Sequence, residues 1–108
     1  MNEEDVITAS ELKYLIDHGR QVKLIDVREL NEYEICHING SKLIPLGELP
    51  KRILEFDIDD EHVIYCHTGE RSAWAVAYLK KCGLKNVKNL IGGIDAWSVG
   101  VDQSIARY

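Results

Sequence analysis

Apolar residues along the chain alternate between a helical and a strand rhythm. Leu12, Leu15 and Ile16 recur at the spacing of one helix face, and Gly19 suits the stop. Just before them, Thr8-Ala9-Ser10-Glu11 has capping-box spacing: the Thr8 hydroxyl can accept from the Glu11 amide while the Glu11 carboxylate reaches back. Val22 to Val27 reads as a strand, Glu29 to Ile35 as a short helix, and Gly40 as a turn. Lys42-Leu43-Ile44 is a short strand ended by Pro45. Leu46, Leu49, Ile53 and Leu54 predict a further amphipathic helix, with Pro50 near its start. The acidic loop Asp57 to Glu61 leads into the strand His62 to Tyr65. Ser72 to Cys82 reads as a helix stopped at Gly83, and Val87 to Leu90 as a strand. Gly92-Gly93 then precedes a last short helix at Ile94 to Trp97.

Strands thus alternate with helices. That order favours a mostly parallel sheet covered on both faces. In such sheets sites form beyond the carboxyl ends of the strands. Two segments fall there: Asp26-Val27-Arg28-Glu29, and Tyr65-Cys66-His67-Thr68-Gly69-Glu70-Arg71-Ser72.

Composition narrows the classes. At 108 residues the chain is expected to form one domain, residues 1–108. A net charge of -5 argues against a nucleic-acid surface, which needs a basic face. The longest apolar run, Ala73 to Leu79, is seven residues, far short of a membrane span. The opening MNEEDV is acidic and has neither the basic nor the apolar region of a signal peptide, so a cytoplasmic protein is expected. Cys36, Cys66 and Cys82 are too few and too widely spaced for a disulfide framework, a zinc ribbon or a CxxC redox motif. Each is expected to be a free thiol.

Cys66 ends a strand, and a helix begins a few residues later. The backbone between must turn tightly, and Gly69 permits a positive φ or a close approach. Amides in such a turn, with the free amides that open a helix, form a nest for an anion. A thiolate is stabilised there. Arg71 adds a permanent charge and a flat donor fork at the rim. These are the requirements of a nucleophilic thiol. A small core residue is the commoner use of a buried cysteine, but a core position has no need of an anion-ready loop. His67 could serve as a base, though the amides already supply activation, and a solvent- or partner-facing loop residue is the preferred reading. Glu70 opposes the local field; it points outward, selects a cationic partner, or discourages small anionic donors.

With these residues in view, the chain resembles a single-domain rhodanese, a sulfurtransferase. The similarity is carried by Leu24-Ile25-Asp26-Val27-Arg28-Glu29, Glu32-Tyr33, His37-Ile38-Asn39-Gly40-Ser41 with Ile44-Pro45, the Cys66 to Ser72 loop, and Leu90-Ile91-Gly92-Gly93-Ile94-Asp95-Ala96-Trp97. The stretch Ser41 to Pro50 and the tail ending in Tyr108 look closest to the rhodanese domain fused to E1-like enzymes that activate ubiquitin-like sulfur carriers. The resemblance implies a five-stranded, mostly parallel sheet with helices on both faces. It implies that Cys66 accepts a sulfane sulfur as a persulfide and passes it on. Residues His67, Thr68, Gly69, Glu70, Arg71 and Ser72 would form the anion cradle and substrate site, with Asp26 and Arg28 behind it. Asp26 could instead only tie down backbone, and Arg28 only pair with Glu32 or another carboxylate. Trp97 matches a structural motif and reads as core. Cys36 stands where the family usually has Gly; it is either a thiol able to resolve a persulfide as a disulfide or, as preferred, a tolerated loop or core residue. Cys82 reads as core.

A cysteine phosphatase or arsenate reductase also holds Cys and Arg in an anion cradle. Those loops are one residue longer than the four residues between Cys66 and Arg71. The smaller ring suits a single terminal sulfur, and Glu70 would repel a phosphate dianion. A non-catalytic interaction module that keeps the fold is the other alternative; the presence of Cys66, Gly69 and Arg71 argues against it. The expected partners are a small sulfur donor such as thiosulfate, or a protein persulfide, with a ubiquitin-like sulfur-carrier protein as acceptor. No metal, cofactor, nucleic acid or membrane is implied, and a monomer is expected.

Overall fold

A computed structural model describes residues 5–108. Residues 1–4, which open the acidic N-terminal stretch, lie outside the described residues. In chain order the elements are β1 (Val6–Ile7), α1 (Ala9–Asp17), β2 (Lys23–Asp26), α2 (Leu30–Ile35), β3 (Lys42–Leu43), β4 (His62–Tyr65), α3 (Glu70–Lys81), β5 (Val87–Leu90) and α4 (Gly93–Gly100). The strands form one sheet in the order β1-β5-β4-β2-β3, with every pairing parallel. The α/β class and the five parallel strands are those the sequence led us to expect.

The pleat sends alternate side chains to opposite faces. Leu24, Val63, Tyr65 and Leu90 meet Leu12 of α1 and Ile94 and Trp97 of α4 on one face. Ile25, Val27, Ile64, Cys66 and Val87 meet Ala75, Val76 and Leu79 of α3 on the other, with Leu49 and Phe56. Both faces are therefore dry, and a fully buried Leu or Ile contributes about 1.5–3 kcal/mol relative to exposure. Trp97 is core, as its motif suggested.

The capping box of α1 forms as its spacing predicted: the Glu11 amide donates to Thr8 Oγ1 at 3.1 Å and the Thr8 amide to Glu11 Oε1 at 2.9 Å. Three elements differ from the sequence pattern. β1 is only two residues long, too short to show an alternation, and it is held by pairing Val6 with Asn89 and Ile7 with Leu90. The amphipathic helix expected over Leu46 to Leu54 is instead two 3-10 turns, Leu46–Glu48 and Pro50–Glu55. Pro50 has no N–H for an α-helical bond back to Leu46, and a turn of three residues rotates successive side chains off the 3.6 stripe. Leu49 is consequently fully buried while Leu54 is 96% exposed. Finally, α3 starts at Glu70, two residues before the expected Ser72.

Candidate functional site

The site lies at the carboxyl edge of the sheet, where β4 ends and α3 begins. Tyr65 is the last residue of β4, and its hydroxyl anchors the segment opposite: it accepts from the Ile38 amide at 3.1 Å and donates to Ser41 Oγ at 2.9 Å. Cys66 follows with its side chain on the α3 face, 1% exposed. The chain then reverses at Gly69, whose φ of +116° is a conformation that side-chain-bearing residues rarely adopt. Gly69 is the residue before the first turn of α3. The amides of that first turn have no partners within the helix, and the Ala73 amide makes the first backbone bond, to the Gly69 carbonyl at 3.1 Å.

Two of the amides aim at the Cys66 sulfur. Gly69 N–H donates to Sγ at 3.1 Å and Ser72 N–H at 3.4 Å. Ser72 Oγ lies 3.3 Å from the same sulfur. Each hydrogen bond to an ionised partner contributes about 1.5–3 kcal/mol, so the pair favours the anionic over the neutral sulfur. α4 braces the loop from behind: the Ile94 and Asp95 amides donate to the carbonyls of Cys66 and His67 at 2.9 and 3.1 Å. Gly93 makes this approach feasible, because a Cβ there would sit 2.5 Å from the Cys66 carbonyl oxygen.

The other loop residues face away from the sulfur. The His67 ring stacks on Tyr108, centroids 4.0 Å apart. Thr68 donates its hydroxyl to Glu70 at 2.5 Å at the exposed rim, which holds the Glu70 carboxyl below its ordinary range. Arg71 forms a two-pronged ion pair with Glu32 of α2, at 2.7 and 2.8 Å. The Arg71 fork, offset partly by burial, holds the Glu32 carboxyl down at about 2. α2 buries none of its own residues, and Leu30 and Ile35 are exposed. Its contribution is to present Glu32 to the loop.

Asp26 and Arg28 lie beneath. Both are fully buried and joined through both carboxylate oxygens, Nε to Oδ1 at 2.9 Å and Nη2 to Oδ2 at 2.6 Å. Asp26 Oδ1 also accepts the Arg28 amide at 3.0 Å. Arg28 further donates to the Cys36 carbonyl and to the Tyr108 hydroxyl, each at 2.7 Å. Burial alone would pull the guanidinium down, but Asp26 and Tyr108 outweigh it and push it up. Arg28 thus pairs with Asp26 rather than with the Glu32 carboxylate, and its fork is occupied inside the protein. Cys36 is half-buried against the core, and all three cysteines are free.

Three residues gain a place here that residue-by-residue reading did not give them. Glu32 stood in the sequence as part of a motif and as a candidate partner of Arg28, and it pairs with Arg71 instead. Tyr108 donates to Glu32 Oε1 at 3.0 Å and so links Arg28 to the Arg71 pair. Asn89, on the α3 face of β5, bonds to both Ser72 and Gly69. Asn89 carried no role on sequence grounds; an amide on a strand between Val87 and Leu90 is the one signal that could have found it.

Comparison with known proteins agrees with this architecture. The family model described as Rhodanese-like domain matches residues 8–99. A Bacillus subtilis protein named as a sulfur carrier, YrkF, is 41% identical over 92 residues, covering 85% of this chain and 50% of that protein. The Mycobacterium tuberculosis protein named "Probable adenylyltransferase/sulfurtransferase MoeZ" is 40% identical over 104 residues, covering 94% of this chain and 26% of its own. The chain therefore spans half or less of the length of these relatives. Among solved structures, a rhodanese-like domain protein from Staphylococcus aureus superposes with a TM-score of 0.82 at 34% identity, covering 86% of this chain and 90% of that one.

Proposed function

The chain belongs to the rhodanese-like domain family, and from that premise we propose that it is a sulfurtransferase that carries sulfane sulfur as a persulfide on Cys66. The observation that carries the reading is the pair of amide donors, Gly69 and Ser72, at 3.1 and 3.4 Å from Cys66 Sγ. They stabilise the sulfur as an anion, and an anion is the attacking form of a thiol.

In the first step the Cys66 thiolate attacks the outer sulfur of a donor. With thiosulfate, the donor's S–S bond breaks, sulfite leaves with the bonding pair, and Cys66 becomes a persulfide. With a protein persulfide, the donor cysteine leaves as its thiolate. In the second step a nucleophile of the acceptor attacks the outer sulfur and the Cys66 thiolate returns. The amides of Gly69 and Ser72 hold charge on the sulfur at both ends of the cycle. Arg71 stands at the rim in reach of an incoming anion, which must compete with Glu32 for its fork. The remaining cradle residues, His67, Thr68 and Glu70, shape the entrance.

The relatives named as a sulfur carrier and as an adenylyltransferase/sulfurtransferase support a place in a sulfur relay. The acceptor we propose is the activated carboxyl terminus of a ubiquitin-like sulfur-carrier protein. With it the roles reverse: the outer persulfide sulfur attacks the activated carbonyl and the activating group leaves. Two thiols of a reductant then cleave the acyl disulfide, releasing the thiocarboxylate and the Cys66 thiolate and becoming a disulfide themselves. We further propose a cytoplasmic location, where a thiol such as Cys66 is kept reduced, and a monomeric state. Intact-mass spectrometry after incubation with thiosulfate or a protein persulfide tests the proposal. The wild-type protein gains the mass of one sulfur atom; Cys66→Ser does not. Steady-state kinetics with two substrates give parallel double-reciprocal lines. A sulfur adduct that persists in Cys66→Ser, or intersecting lines, would overturn it.

A further inference from the structure

Asn89 occupies a position where an apolar side chain would be expected. It sits between Val87 and Leu90 on β5, points with Val87 toward α3, and is 7% exposed. A buried amide is unfavourable unless its polar atoms are satisfied. Those of Asn89 meet the catalytic loop at two points: Nδ2 donates to the Gly69 carbonyl at 3.2 Å, and Oδ1 lies 2.5 Å from Ser72 Oγ.

Chemistry fixes which way this amide points. The Gly69 carbonyl can only accept, so the NH2 end of Asn89 must face it. The carbonyl end then faces Ser72, and the short 2.5 Å contact requires the Ser72 hydroxyl proton to lie between them. A hydroxyl has one proton. Ser72 Oγ also lies 3.2 Å from the Gly69 carbonyl, a second acceptor, but the much shorter contact takes the proton. With it committed to Asn89, Ser72 turns a lone pair toward Cys66 Sγ, 3.3 Å away. A lone pair facing the sulfur favours the S–H form and opposes the two amides, which favour the anion.

We infer that Asn89 is a positioning residue: by holding the Ser72 hydroxyl proton, it sets the balance between thiol and thiolate at Cys66. Rotation of the Ser72 hydroxyl from Asn89 Oδ1 to Sγ shifts that balance toward the thiolate. No bond other than a hydrogen bond is exchanged. The Nδ2 bond to Gly69 keeps the amide from turning over, because a flipped Asn89 would set two carbonyl oxygens against each other. The inference rests on the reading of Cys66 as the nucleophile, but its test requires neither donor nor turnover.

Ionisation is read as thiolate ultraviolet absorbance across a pH titration, each variant measured against the same protein carrying Cys66→Ser. The difference isolates Cys66 from Cys36 and Cys82, and the method does not depend on a reagent reaching a buried sulfur. Asn89→Leu frees the Ser72 hydroxyl, whose remaining acceptors are the sulfur at 3.3 Å and the Gly69 carbonyl at 3.2 Å. An ionised sulfur is the stronger acceptor, and the midpoint falls by about one pH unit, the difference between a neutral and a charge-assisted hydrogen bond. Asn89→Asp keeps the shape but turns an oxygen to the Gly69 carbonyl and adds a charge, so it raises the midpoint both directly and through the more strongly held Ser72 hydroxyl. In a Ser72→Ala background the Asn89→Leu shift disappears and the Asn89→Asp rise shrinks. A midpoint that stays put or rises in Asn89→Leu overturns the inference, as does an undiminished shift without the Ser72 hydroxyl. Should Asn89→Leu fail to fold, the near-isosteric Asn89→Asp decides alone: an equal rise with and without Ser72 Oγ overturns it. Loss of sulfur transfer with the predicted titrations intact would sink the proposed function and leave this inference standing.

Discussion

Glu32 joins the short, exposed helix α2 to the Cys66–Ser72 loop, and its removal has a consequence that depends on pH. Its carboxylate receives both prongs of Arg71 and the hydroxyl of Tyr108, and also accepts the Glu29 amide at 2.9 Å. These partners hold its carboxyl at about 2 against an ordinary 4.5. That gap corresponds to about 3 kcal/mol if taken whole. The Arg71 side chain is 37% exposed, so solvent screens the pair, and about 1–2 kcal/mol is the expected contribution. The folded carboxyl ionises at lower pH than the unfolded one, so the unfolded chain takes up its proton first on acidification. The stabilisation is therefore full above about 4.5 and is lost as pH falls through about 2. Urea unfolding of wild type and Glu32→Gln at pH 7 and pH 3 measures it. The variant is less stable by about 1–2 kcal/mol at pH 7, and the difference shrinks by more than half at pH 3. Glu55→Gln is the contrast: its carboxyl is also held at about 2, by Arg52 and Lys42, but it is 37% exposed where Glu32 is 16%, and its loss has the smaller effect. A Glu32→Gln deficit that is absent at pH 7, or the same at both pH values, refutes the reasoning.

Other substitutions probe other parts of the frame. Gly93→Ala places a Cβ 2.5 Å from the Cys66 carbonyl at a φ of +59°; strain and overpacking together cost about 2–4 kcal/mol, read by urea unfolding, and sulfur transfer falls with it. Leu49→Ala costs about 2–5 kcal/mol and Leu54→Ala less than about 0.5, by the same measurement; equal losses would restore the amphipathic helix that the 3-10 turns replace. His62 is 2% exposed, its Nδ1 has no partner, and burial holds its pKa below the ordinary 6.5. Because the unfolded chain protonates first, stability is lost as pH falls below about 6.5, and His62→Phe flattens the fall between pH 7.5 and 5.5; an unchanged slope in thermal or urea unfolding would count against this.

Elements whose residues repeat over several turns or along a buried face could be read from the pattern. β2 and β4 carry apolar runs that end at the sheet's carboxyl edge, β5 is marked by Val87 and Leu90 at its two ends, and α1 carries both a stripe and a capping box. Those that failed have their cause elsewhere. β1 has no rhythm of its own and exists because β5 offers an edge. Leu46, Leu49, Ile53 and Leu54 fit a 3.6-residue period on their own, but Pro50 falls inside the stripe, and the chain keeps two tighter turns around it.

The site divides in the same way. The loop from Cys66 to Ser72 is one contiguous stretch, and local rules suffice to put amides at its sulfur: a Gly to reverse the chain and a helix start to supply free donors. What local rules cannot give is where the side chains of that loop go. The sequence places Arg71 at the rim as a charge and a donor fork but does not say what that fork meets: it is a carboxylate 39 residues earlier, and the same carboxylate accepts from Tyr108, 76 residues on. Such pairings depend on which strand ends the sheet order brings together, and β2 and β4 are neighbours only after folding. The consequence is chemical. At the sulfur the fixed positive end comes from backbone dipoles, which no substitution of a side chain removes, while the mobile positive charge of Arg71 is already balanced by Glu32. Stabilisation of an anionic sulfur can therefore survive changes at the rim, and the rim is left to decide which donor reaches it.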